Sequence, residues 1–331
     1  MKKTALALII LLLVNLCFFA CSAGGEIGFV FGTSYRLEIS GLHSYKAKKQ
    51  IINMLLEYES LLGTEIEGSD LYTVNESNAD KAVNISTLTA DIYNFSYKIY
   101  DETGGAFNPA IFPLVRLWGF SPDSVSEEKT PPETSAVNAL LSYCSPDYFE
   151  LDNNALTITK SDKRAELDFG AVAKGHAAQR AIEILKENGI KDAIINIGGT
   201  VAVMGDKKVG VTHPRKSSVI ASFNIFDGET VATSGDYERY YIIGDKRYHH
   251  IIDPATGRPA DNGIISVTIV SDDGALSDAL STAVFVMGAK DGLEYAVSKG
   301  AKCLIILEDK TYLVSQGFEV RILDDEYTAA K

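Results

Sequence analysis

Cysteine is scarce in this chain of 331 residues, with four residues at positions 17, 21, 144 and 303. So few thiols exclude a disulfide scaffold, and no Cys/His spacing suggests a zinc site. Positive charge is also in deficit. Lys and Arg number 31 against 44 Asp and Glu, a formal net charge of −13. That balance excludes a general polyanion binder and gives no reason to expect nucleic acid as a partner. Neither phosphate-loop fingerprint, G-x-x-x-x-G-K-[ST] or G-x-G-x-x-G, occurs. There is no internal repeat and no low-complexity block. What remains is ordinary globular composition, 46% hydrophobic and 23% charged, which excludes wholesale disorder. The length admits one large domain or two.

Long apolar runs are equally few. The run Ala5 to Val14 follows Lys2 and Lys3 and is broken by Asn15. It is too short and wrongly flanked for a membrane span and reads as a signal peptide. Ala20 before Cys21 fits a bacterial lipoprotein cleavage site, with Phe18 where Leu is usual. The expectation is a leader over 1–20, lipidation of Cys21, a tether over 21–28 and a folded domain over 29–331. An ordinary secreted protein cut nearby, or an N-terminal anchor, is the plainer alternative. Acyl chains, at roughly 0.8 kcal/mol per buried CH₂, would hold the protein on a membrane surface. Cys144 and Cys303 then remain, either as a pair or as two buried small apolar residues.

Periodicity places a strand pattern at Ile27–Ile39, interrupted at Gly32-Thr33, and a helix over 46–62 with Ile51, Ile52, Leu55, Leu56 and Leu62 on one stripe. A second helix fits 90–102, closed by Gly104-Gly105. Residues 121–133 read as a polar loop, and 148–160 as a hairpin around Asp152-Asn153-Asn154. Beyond these lie a helix over 172–188, buried strands in "DAIINIGG", "VAVMG" and "IISVTIVS", a helix over 275–287, and strands in "CLIIL" and "TYLVS". Strands clustered between helices, without a clean linker, predict α+β architecture with mixed sheets.

Four segments are candidates for chemistry. In "DFGAVAKGHAAQRA", from Asp168, a Gly170-Ala171 turn enters a helix whose first turn carries Lys174. A helix N-terminus with a lysine suits an anionic ligand, though a solvated lysine is the plainer reading. In "ALSDALSTAVFVMG", Asp278 and Thr282 lie at i and i+4 on one helical face. A carboxylate plus a hydroxyl is what a hard cation such as Mg²⁺ accepts; a cap or surface pair is the alternative. Small residues Ala275, Ala279 and Ala283 would let another backbone approach. In "RYHHIIDPATGRP", His249 and His250 precede a rigid turn and point to opposite sides of a strand. One of them is a candidate general base. Finally, Phe107, Phe112, Trp118 and Phe120 are either walls for a flat heterocycle or core.

In this order, "FGTSYRLEI", "SDLYTVN", "GGAFNPAIFPLVRLWGF", "DFGAVAKG", "NIGGTVAVMG", "TSGDYERYY", "HIIDPATGRP" and "DALSTAVFVMG" resemble the FAD:protein FMN transferases, the ApbE-like flavin transferases. The resemblance runs from residue 31 to about 290. It implies an ApbE-like α+β fold and Mg²⁺-dependent transfer of FMN from FAD to a Ser or Thr hydroxyl of an acceptor protein, with release of AMP. It implies Asp278, Thr282 and the Ala171 carbonyl as cation ligands. Phe31, Ala106, Phe107, Asn108, Asp168, Lys174 and the Ile252 backbone would line the FAD site, and His250 would be the base. The acceptor would be an exported redox protein, and the enzyme a lipoprotein of the bacterial envelope, on the periplasmic side of the inner membrane.

Departures from the pattern are Phe31 for Met, Asn108 for Asp, Thr200 for an acidic residue, and Glu65 aligned with an aromatic that covers FAD in some relatives. A carboxylate cannot replace aromatic stacking, so hydrolysis of FAD to FMN and AMP is a competing outcome. An FAD pyrophosphatase and a non-catalytic lipid-anchored flavin-binding protein are the alternative readings.

Overall fold

The computed structural model describes residues 25–122, 124 and 129–330. The leader and Cys21 lie outside the described residues. Nine strands form one sheet whose spatial order follows the chain. They are β1 (Glu26–Val30), β2 (Thr33–Ser40), β3 (Asp192–Ile197), β4 (Thr200–Met204), β5 (Thr230–Gly235), β6 (Ile264–Ser271), β7 (Lys302–Leu307), β8 (Thr311–Val314) and β9 (Thr328–Ala329). Every neighbouring pair is antiparallel except β8 with β9. Because β1 pairs with β2 from Glu26 onward, the expected tether over 21–28 is too long; residues 26–28 already belong to the sheet. Phe31 and Gly32, both at positive φ (55° and 68°), make the two-residue turn between them.

Eight helices are described: α1 (Ser44–Leu62), α2 (Asp70–Glu76), α3 (Thr87–Glu102), α4 (Phe112–Leu117), α5 (Thr134–Leu141), α6 (Ala173–Glu187), α7 (Gly274–Met287) and α8 (Ala289–Ser298). The expected helices correspond to α1, α3, α6 and α7, and the hairpin over 148–160 to strands Phe149–Asp152 and Thr157–Lys160. The sequence reading passed over α2, α4, α5 and α8. For α2 the signal was local, since the Ser69 hydroxyl accepts the Tyr72 N–H as an N-cap.

Strand β6 explains the layering. All but its last residue are buried, so it reads as a continuous apolar run rather than an alternation. Val267 and Ile269 pack with Leu280, Val284 and Phe285 of α7, whereas Ile265 and Val270 pack with Phe223 and Ile225 from a second, three-stranded sheet. That sheet comprises Lys207–Thr212, Val219–Ile225 and Val320–Ile322. Cys303 belongs to the α7 cluster and Cys144 to another around Trp118. Both thiols are free, and burial pushes each up to about 12. The small-apolar reading of the two cysteines is the one the structure supports.

Helices α6 and α7 meet closely because both begin with small residues. A Cβ on Gly175 would lie 2.1 Å from the Gly274 carbonyl oxygen, and one on Gly274 would lie 2.3 Å from the Gly175 oxygen. Ala177, Ala178, Ala181, Ala279 and Ala283 extend the contact into the core. Only glycine at these two positions allows the backbones this near.

Candidate active site

The close approach puts Asp278 at the start of α6. Its Oδ2 accepts the Gly175 N–H at 3.0 Å and is 3.4 Å from the Lys174 ammonium. No side chain of its own segment caps α6, so a carboxylate from α7 serves the open N-terminus. Asp278 is 5% exposed and is therefore no surface pair, and the N-cap of α7 is Asp273. One turn on, the Thr282 hydroxyl lies 3.3 Å from Ser234 Oγ of β5, which also shares a 2.7 Å hydrogen bond with Ser281.

The turn entering α6 is held from within. Asp168 accepts the Gly170 N–H at 2.8 Å and donates its own N–H to the Pro109 carbonyl at 2.8 Å. Val172 and Ala173 both donate to the Phe169 carbonyl, which fixes half-buried Ala171 between them. Lys174 turns back to donate to the Gly170 carbonyl at 2.6 Å. An ammonium thus sits between a main-chain carbonyl and a buried carboxylate.

The opposite wall is the hairpin Tyr240–Ile243/Lys246–His249 and the turn after it. His249 is buried, and its Nε2 lies 2.9 Å from the Ala260 carbonyl, to which it must donate, while Nδ1 lies 3.3 Å from the Ile251 N–H. Both nitrogens are spent on the backbone. His250 faces the other way and is half-buried. Its Nδ1 lies 3.3 Å from the Arg239 carbonyl. A carbonyl only accepts, so Nδ1 carries the proton and Nε2 is left with its lone pair. The surrounding protein strips water from the imidazole, and the positive charges of Arg239 and Lys174 add to the effect. Together they hold its pKa well below the usual 6.5. Burial and neighbouring charge favour the neutral form of His250, and of the two histidines it is the one with a ring nitrogen not taken by the backbone.

These charges tie the walls together. Lys174 acts on His250 and on Glu238, Arg239 acts on both, and Asp168 acts on Arg239. Lost hydration raises the Glu238 carboxyl, against the pull of Lys174 and Arg239. Glu238, Arg239 and Ser234 were missed as single residues, although all three lie in "TSGDYERYY". An adjacent Glu-Arg pair among tyrosines was the available signal.

A cleft of about 390 Å³ is lined by Gly104, Ala106, Asn108, Asp253, Ala255 and Val286; Lys174, His250, Asp278 and Thr282 are not among its lining residues. It brings the Ala106–Asn108 segment against the turn that follows Ile252 and against the last residues of α7. Asn108 is oriented by two bonds, donating to the Cys144 carbonyl and accepting the Ala110 N–H, each at 2.8 Å. Buried Ile252 is fixed by pairing with Pro259.

Other expected residues stand differently. Phe107 is 2% exposed and belongs to the core, so only Ala106 and Asn108 of that segment line the cleft. Phe112, Trp118 and Phe120 are buried as well. These four aromatics are packed in the core, where their large apolar surfaces are withdrawn from water. Phe120 backs His250 edge-on at 6.4 Å, and the Trp118 indole donates to the Gly257 carbonyl at 2.8 Å, bracing the turn. Phe31 donates its N–H to Glu59 Oε1 and packs on the helical core. Glu65 is 3.5 Å from Arg116, which also pairs with Glu166. Neither Phe31 nor Glu65 is among the residues that line the cleft.

Among the described residues no three His, Cys, Asp or Glu side chains form a self-sufficient metal site. The donors present are nevertheless all hard oxygens, and the spot already attracts a cation, the Lys174 ammonium. This set fits a hard divalent cation as a partial shell, to be completed by ligand oxygens and water.

An α+β domain that gathers a buried carboxylate, two cationic side chains and a half-buried imidazole has the constitution of an enzyme for an anionic substrate. The sequence profile of the ApbE family matches residues 31–305, and the chain belongs to that family. An FAD:protein FMN transferase of Rhodobacter capsulatus is 32% identical over 299 residues, covering 86% of this chain and 55% of that protein. The chain therefore spans about half the length of that relative. An FAD:protein FMN transferase of Klebsiella pneumoniae is 32% identical over 254 residues, 76% of this chain and 78% of that protein. The crystal structure of the ApbE protein from Thermotoga maritima superposes with a TM-score of 0.82 at 29% identity, covering 89% of this chain and 97% of that one.

Proposed function

We propose that this protein is an FAD:protein FMN transferase that uses Mg²⁺, moves FMN from FAD to a Ser or Thr hydroxyl of an acceptor protein, and releases AMP. The observation that carries the reading is His250. It is a neutral imidazole with Nε2 free of the proton, backed by Phe120 and set within the field of Lys174 and Arg239. Such a group removes the proton from an attacking hydroxyl, typically worth about 10²–10⁴-fold. Oxygen of the acceptor bonds to the FMN phosphorus, the phosphoanhydride bond breaks, and its electron pair leaves with AMP.

Mg²⁺, if bound, would supply charge neutralisation to the pyrophosphate. Asp278, Thr282 and the Ala171 carbonyl are the residues that would hold it. Lys174 and the α6 N-terminus then balance the remaining phosphate charge, which an acidic chain of −13 must supply locally. Asn108 orients its segment at the cleft, and Asp168 holds the turn that enters α6. The acceptor is expected to be an exported redox protein. Cys21, on the sequence alone, would anchor the enzyme to the envelope, on the periplasmic side of the inner membrane.

One incubation tests the reading. The protein is mixed with FAD and Mg²⁺, with and without a Ser/Thr-bearing acceptor, and AMP, free FMN and acceptor mass are measured. Transfer gives stoichiometric AMP and an acceptor heavier by one FMN phosphoester. AMP with free FMN alone would instead make it an FAD pyrophosphatase, and bound FAD without AMP a binding protein.

A further inference from the structure

The Lys174 ammonium lies where a cation would. It donates to the Gly170 carbonyl at 2.6 Å and is 3.4 Å from Asp278 Oδ2, the oxygen that also accepts the Gly175 N–H. Asp278 is almost fully buried, and its carboxylate needs a compensating charge. Magnesium ligated by Asp278 would sit about 2.0–2.1 Å from the carboxylate oxygen, and like charges so close repel strongly. Two cations on the same carboxylate oxygen repel, so the ammonium and a divalent ion compete for Asp278.

We propose that Lys174 is a resident counter-cation, which neutralises Asp278 in the free protein and is exchanged for the divalent ion when a ligand phosphate draws the ammonium away. The inference rests on the cation reading above and adds an order to it. Metal alone meets an occupied carboxylate, whereas metal with FAD does not, so the two ligands assist each other. That assistance is reciprocal by linkage.

The test is metal binding itself. Mn²⁺ is titrated into the full chain, purified in mild detergent, and free Mn²⁺ is followed by its paramagnetic resonance signal. Wild-type protein should bind Mn²⁺ weakly alone and about 5–150-fold more tightly with FAD present. Lys174→Met should bind Mn²⁺ alone at least about fivefold more tightly than wild type, with a smaller FAD enhancement. Lys174→Gln, which keeps a donor to the Gly170 carbonyl, should show the same tightening and replaces Lys174→Met if that variant folds poorly, and Lys174→Arg should stay close to wild type. Arg239→Gln is the control for a general charge effect, since its guanidinium donates to the Phe120 carbonyl instead; it should change Mn²⁺ affinity far less. Equal Mn²⁺ affinity in wild type and both neutral variants, with binding abolished by Asp278→Ala, overturns the exchange and leaves the cation site standing. Equal tightening by Arg239→Gln also overturns it. Mn²⁺ binding that survives Asp278→Ala overturns both.

Discussion

Around Asp278 the chain is held by direct approach of main chains. Gly175 and Gly274 let α6 and α7 touch, alanines continue the contact, and the carboxylate reaches a backbone N–H across it. Around His250 the chain is held differently, by a two-stranded hairpin stacked on aromatic rings. Tyr248 lies over Trp118 at 5.7 Å and Tyr241 over Phe120 at 5.6 Å, while the imidazole itself hangs on a carbonyl. The first wall tolerates no added atom. The second is built of side chains and polar bonds that can be exchanged singly. Under the proposed function, rigid packing suits a cation position, which must be exact in distance, whereas a base for an incoming hydroxyl would need a set tautomer and open access.

Perturbing each wall should therefore give different signatures. The largest effect is expected from His250→Ala, a fall in transfer rate of about 10²–10⁴-fold with FAD still bound, read by AMP release and by flavin fluorescence. Loss of FAD binding would make His250 a ligand residue instead of the base. Asp278→Ala should cost about 10²–10³-fold and abolish the response of the rate to Mg²⁺; a variant that keeps full turnover at low Mg²⁺ would remove Asp278 from the site. Gly175→Ala should lower stability by about 1–3 kcal/mol, because its Cβ meets main chain rather than a movable side chain. Chemical denaturation reads this, and an unchanged midpoint would mean the helices can slide apart freely.

On the hairpin wall the effects should be smaller. Trp118→Phe keeps the ring stack but removes the donor to Gly257, at a cost of about 1 kcal/mol. Weakening of FAD binding without loss of stability would instead put the indole in contact with ligand. The finest test is the pH profile. Because burial first, and then Arg239 and Lys174, lower the His250 pKa, the imidazole stays neutral as pH falls through 6.5. The acid limb of kcat/KM should lie below that value. Arg239→Gln removes one of the charges that oppose protonation, so the limb should move to higher pH. A shift the other way would reverse the electrostatic account.

Much of the architecture was legible in the sequence. The stripes of α1 and α3 and the apolar runs of β6 and β7 announce themselves through periodicity, because burial on one face imposes it. Short elements were not legible. Six residues of α4 and eight of α5 are too few for a period to emerge, and their apolar side chains fit a loop as well as a helix. The site was legible mostly as motifs. Asp278 and Thr282 share a helical face by spacing alone, yet nothing in the spacing shows that Gly175 from another helix satisfies the carboxylate. Phe107 illustrates the converse, since an aromatic beside glycines reads equally as ligand wall or core, and only packing decided for the core.

The sequence by itself determined the acidity of the chain, the leader pattern, the alternation of strands and helices, and the residue types able to hold a cation or move a proton. Tertiary structure decided which of two adjacent histidines is available, because one ring spends both nitrogens on backbone and the other only one. It decided that Lys174 rests on Asp278, a pairing 104 residues apart in the chain. Local rules reach a few residues along the backbone, whereas burial, charge pairing and tautomer depend on what the rest of the chain places beside each group.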